Sequence, residues 1–155
     1  MHTEQFQVGD RQFFYSCIHS QSDLEIETQS FYPALVWNSE PGVAVEQITA
    51  VIRKLYTSGC RYVVAGGVNC ERWHDIADEE FVSQFVSDAD QDENFVMTSW
   101  HEGESPEDVT FFFVNNTNFE NHDFKRFVVL QFGEDSMVES QLKQGIRKWA
   151  GRPAG

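Results

Sequence analysis

Short apolar runs alternate along the chain with longer stretches in which apolar residues recur every three or four positions. The runs are Phe31 to Trp37 (FYPALVW), Arg61 to Ala65 (RYVVA), Asn94 to Thr98 (NFVMT) and Phe124 to Phe132 with its core FVVLQF. They are too short for helices and rich in β-branched and aromatic residues, so they predict strands. Between them, Val45, Ile48, Val51, Ile52, Leu55 and Tyr56 form one helical stripe that Gly59 ends, with Ser39 as its cap and Pro41 in its first turn. A second helix runs from about Cys70 to Ser87, followed by a loop from Asp88 to Glu93. Ser105-Pro106-Glu107-Asp108 starts a third helix, ending near Thr117, with Val109, Phe112 and Phe113 inward. Ser136 with Glu139 reads as a capping box for the last helix, which carries Met137, Val138, Leu142, Ile146 and Trp149. Its basic tail of Lys143, Arg147, Lys148 and Arg152 complements a helix C-terminus.

Strand then helix, repeated, predicts an α/β domain: a compact three-layer sandwich around a mainly parallel sheet of four to five strands, flavodoxin-like or Rossmann-like in layout. The 155 residues suit a single domain, 1–155, with the repeating strand–helix core over 31–150. Residues 1–30 read less clearly. A hairpin around Gly9-Asp10 and an edge strand over Asp23 to Thr28 are one reading, and an N-terminal arm is the other.

Composition narrows the class. Phe supplies 14 residues and apolar types 41 %, which marks a folded chain. Cys17, Cys60 and Cys70 are few, odd in number and irregularly spaced, unlike a disulfide framework. No leader pattern opens the chain, and no apolar run approaches the roughly 20 residues of a membrane helix. A cytoplasmic protein without a membrane role is the expectation.

Charge changes the picture most. The chain carries 25 acids and 11 Lys or Arg, a net of −14. Residues 71–108 hold 13 of those acids and only Arg72 to offset them, a net of −12, which leaves −2 for the remainder. A field concentrated in this way attracts basic partners and repels nucleic acid.

In open parallel sheets, ligands bind beyond the carboxyl ends of the strands. Those positions hold Asn38, Ser39 and Glu40, then Gly66 to Asp75, then Ser99 to Glu104. At 100° per residue, Trp73, Ala77, Phe81 and Phe85 define the buried face of the second helix. Cys70 and His74 fall on that face in its first turn, while Glu71, Asp75 and Glu79 point away. His101, at the end of the third run, reaches the pair if the two strands are neighbours.

Three chemistries suit these residues. Cys70 at a helix N-terminus is a nucleophile with His74 or His101 as base, although the surrounding acids oppose a thiolate. Cys70, His74 and His101 are zinc ligands, completed by Asp75, Asp78 or water. Or they are structural, a buried thiol and hydrogen-bonded imidazoles. Trp73 and Trp100, each preceding a histidine, either stack on a partner or cap a core. Gly66-Gly67 lacks the phosphate-loop spacings, no acidic pair follows the first run, and neither G-x-S-x-G nor H-E-x-x-H occurs.

The charge pattern therefore leads: a small acidic protein-binding domain, of the kind in which an immunity or inhibitor protein masks a basic toxin or nuclease. Its docking residues are Asp75, Asp78, Glu79, Glu80, Glu102 and Glu104, with Trp73 and Trp100. It needs no cofactor. The alternative is a Cys/His enzyme or zinc site at the carboxyl edge of the sheet.

Overall fold

Each apolar run becomes a strand whose alternate residues feed two different cores, and this fixes the layering. The computed structural model describes residues 3–26 and 30–151. In chain order these form β1 (Thr3–Val8), β2 (Arg11–Ile18), a single 3-10 turn (Gln21–Asp23), β3 (Tyr32–Asn38), α1 (Val45–Ser58), β4 (Cys60–Gly67), α2 (Cys70–Gln84), α3 (Asp88–Glu93), β5 (Met97–His101), α4 (Pro106–Asn115), β6 (Arg126–Phe132) and α5 (Ser136–Ala150).

The sheet has six strands in the order β1-β2-β6-β3-β4-β5. Only β1, joined to β2 by the Gly9-Asp10 turn, is antiparallel. The expected three-layer α/β sandwich is present, with six strands instead of four or five, because the N-terminal hairpin joins the sheet through β2 and β6. The edge strand expected over Asp23 to Thr28 does not form among the described residues: Asp23 closes the helical turn and residues 24–26 carry no strand, while residues 27–28 of that expectation lie outside the described residues.

Period-two alternation splits the interior. Ala34, Val36, Val63, Ala65, Val128 and Leu130 face α1 and α2, against Ile48, Val51, Leu55, Trp73 and Ala77. Phe13, Tyr15, Leu35, Val64 and Val129 face the other way, against Val109, Phe113, Leu142 and Ile146 of α4 and α5. Each buried Val, Leu, Ile or Phe among them contributes roughly 1.5–3 kcal/mol. Gly145 lets α5 lie directly on α4, since a Cβ there would meet the Thr110 hydroxyl at 2.1 Å.

Four local expectations shift. α1 begins at Val45 behind Ala44, not at Ser39. The Asn38 side chain holds the preceding turn, accepting the Glu40 N–H at 3.1 Å and donating to Glu40 O at 2.9 Å and Val68 O at 2.7 Å. The predicted loop at 88–93 is α3, capped by the Ser87 hydroxyl, which accepts the Asp90 N–H at 3.0 Å. β5 lies three residues later than the NFVMT reading. α5 is capped by Asp135, whose carboxylate accepts from Met137 and Val138, so Ser136 is its first residue rather than its cap.

Candidate functional site

α2 starts the polar region. Gly67 runs at φ 84° so close to β3 that a Cβ would meet the Asn38 carbonyl at 2.2 Å, and Asn69, also left-handed, leads into the first turn. Cys70 then turns inward and is 1 % exposed. Burial pushes its thiol up, a trend that the backbone amides of His101, Cys70 and Glu71 oppose and the Glu102 carboxylate reinforces. A buried, raised thiol is the reverse of an activated nucleophile.

The two histidines lie on opposite faces of β5. Thr98 and Trp100 point toward α2: the Thr98 hydroxyl donates to Asp78 Oδ1 at 2.6 Å, and the Trp100 ring lies 4.4 Å from His74. His74 sets Nδ1 2.9 Å from Asp75 and Nε2 3.5 Å from Asp78. One residue beyond Trp100, the His101 ring lies on the α4 side, 4.5 Å from Phe112. Its Nδ1 is 2.8 Å from Glu104 Oε2 and its Nε2 3.0 Å from Ser99 Oγ. Strand alternation thus keeps the His101 imidazole from Cys70 and His74, although β4 and β5 are neighbours, the condition on which that approach depended, and its backbone amide approaches the sulfur. The ring nitrogens of both histidines are already engaged by carboxylates or a hydroxyl. Among the described residues, no group of three or more His, Cys, Asp or Glu is placed to hold a metal ion.

The acids are arranged differently. Every Asp and Glu of residues 71–108 is exposed except Glu80. Glu80 is 8 % exposed and faces α1, where its carboxylate accepts the Arg53 Nε–H at 2.9 Å. It belongs to the α1–α2 contact, not to the exposed acidic face on which it was expected. Glu71, Asp75 and Glu79 form an outward ridge on α2 with i, i+4 spacing, and α3 adds Asp88, Asp90, Asp92 and Glu93 at its far end. Glu102 closes the near end. Together with Val45 and Ile76, Glu71, Asp75, Glu79 and Glu102 line an open cleft of about 520 Å³ between the start of α1 and α2. Glu104, Glu107 and Asp108 continue the acidity to the first turn of α4, where Glu107 pairs with Lys148 of α5. Part of this charge complements the positive helix N-termini gathered at the carboxyl edge. Asp88 and Asp90 likewise complement the N-terminus of α3 itself, whereas Glu79, Asp92 and Glu93 lie beyond the first turn of their helices.

The tryptophans divide. Trp73 is buried against Phe132 at 5.4 Å and belongs to the core. Trp100 is 44 % exposed beside the acid ridge.

A family model described as Domain of unknown function (DUF7684) matches residues 13–148. The chain belongs to this family. The matched span runs from within β2 to the last turn of α5 and contains the whole acidic region; β1 precedes it. No curated protein matches the chain.

Some polar groups at the carboxyl edge escape sequence reasoning. His19, at the end of β2, stands 3.8 Å from both Glu40 and Glu134, and Asp135 follows β6. These meet because β6 inserts between β2 and β3, an order that no local pattern encodes. No helix among the described residues is long and apolar enough to cross a membrane.

Proposed function

We propose that the protein is a protein-binding domain whose acidic face, carried by α2, α3 and the loop after β5, docks a basic partner. Its concrete form is an immunity or inhibitor protein that covers a cationic toxin or nuclease. One observation carries the reading: the acids of this face stand exposed with almost no Lys or Arg among them, while Glu80, the one buried acid of the region, is neutralised by Arg53. Solvated charge of one sign adds little to folding, and it accelerates association with a complementary surface. The cleft lined by Glu71, Asp75, Glu79 and Glu102 also holds Val45 and Ile76, with Arg72 as its one cation, so four carboxylates and apolar contact are offered to the charged head and aliphatic stem of a lysine or arginine.

The test is capture of partners from host extracts by wild-type protein and by the triple variant Glu71→Lys, Asp75→Lys, Glu79→Lys. Basic proteins retained by wild type at low salt, lost from the triple variant and released by salt at about 0.5 M, where the Debye length is well under 8 Å, support the reading. The same proteins retained by both forms would defeat it. Glu80 is left intact in this variant because its carboxylate holds α2 to α1.

A further inference from the structure

The sheet ends at β5. That strand is hydrogen-bonded to β4 alone, so among the described residues its outer side has no strand beside it. Native sheets guard such edges with lysine, proline, a bulge or a covering element. β5 reads Met-Thr-Ser-Trp-His, without a lysine, a carboxylate or a proline, and its register with β4 runs unbroken from Met97 to His101.

What flanks this edge selects its occupant. On the α2 side lie Asp78, 2.6 Å from the Thr98 hydroxyl, and the exposed Trp100, held by His74. On an added strand, side chains opposite Thr98 and Trp100 would stand about 5 Å from them, within reach of the Asp78 carboxylate and the indole face. Both attract Lys or Arg. On the α4 side, Met97 and Phe112 offer apolar contact. A second copy of β5 would set the same carboxylates against each other, and such like-charge contacts are unfavourable.

We propose that β5 is a strand-addition site. An extended segment of the basic partner pairs with it as a seventh strand, with Lys or Arg at every second position facing α2 and apolar residues between them. This rests on the proposed docking of a basic partner and specifies how part of that partner binds.

The probe is a capped synthetic peptide of about nine residues, longer than the usual strand of about six, in which Lys and Val alternate. Its twin has the same sequence with every second backbone nitrogen methylated, which removes edge donors and keeps the charge. Amide hydrogen exchange on intact protein reads the site. The expected result is binding of the alternating peptide, slowed exchange at alternate amides of Met97 to His101, and roughly tenfold or greater loss of affinity for the twin. Equal binding of both peptides with unprotected β5 amides would overturn strand addition; if that binding also fell with salt, charge docking would stand without it. Absence of binding by either peptide would likewise overturn strand addition, and the extract capture would then decide the docking reading separately.

Discussion

The two edges of the sheet treat charge in opposite ways. At β1, acids are consumed by cations: Glu4 pairs with Lys143, which also lies 2.9 Å from Glu139, and Asp10 pairs with Lys125 at 2.8 Å. Arg147 covers the Phe6 ring at 4.7 Å. At β5, the partners of Asp75, Asp78 and Glu104 are imidazoles and hydroxyls, and the outer acids of α2 and α3 face solvent. Charge at β1 helps to fix the hairpin on α5. The outer acids of α2 and α3 have few partners within the fold, so they can be changed at small cost to stability, and under the proposed docking at large cost to recognition.

Reversing Glu71, Asp75 and Glu79 tests the contrast most strongly. Affinity for a basic partner at low salt should fall on the order of a hundredfold, with the far-ultraviolet circular dichroism unchanged. Next in size is Glu80→Lys, which places a second cation against Arg53 in a buried contact. It should cost about 2 kcal/mol of stability, the moderate value reflecting that Arg53 is itself largely solvated, and denaturant unfolding would read it. Smaller again, Lys143→Ala should cost about 1 kcal/mol by leaving Glu4 and Glu139 without their shared cation. The exposed Glu79→Gln at the other edge should stay within about 0.5 kcal/mol. Equal losses at the two edges would erase the distinction.

The thiols show their effects only at alkaline pH or on unfolding. Cys60 is fully buried and its thiol is pushed up to about 12, chiefly by burial. Its folded value lies above the unfolded value of about 8.5, so its contribution is complete below pH of about 8.5 and is lost as pH rises toward 12, where the unfolded chain ionises first. Melting temperatures should therefore fall more steeply between those limits for wild type than for Cys60→Ala. Cys70, also buried and raised, should resist alkylation in the native protein and react once it unfolds. Rapid native alkylation of Cys70 would reopen its reading as a nucleophile.

The layering was legible because each run alternates between two cores, and the α2 wheel placed Cys70 inward and Glu71, Asp75 and Glu79 outward as found. Strand order was not, because the insertion of β6 between β2 and β3 is decided by tertiary packing. The His101 side chain was beyond reach for a subtler reason. Placing β5 three residues early left open the face on which position 101 falls, and in a strand a single residue sets the side. Glu80 looked like its exposed neighbours until Arg53, 27 positions away, turned out to face it.

The association rate of the protein with a captured basic partner, measured against ionic strength, tests the docking face most directly. For wild type it should fall on the order of tenfold or more between about 0.02 and about 0.2 M salt, while the Glu71→Lys, Asp75→Lys, Glu79→Lys variant starts slower and changes little. Equal rates and equal salt slopes for the two forms would contradict the assignment of this face as the docking surface.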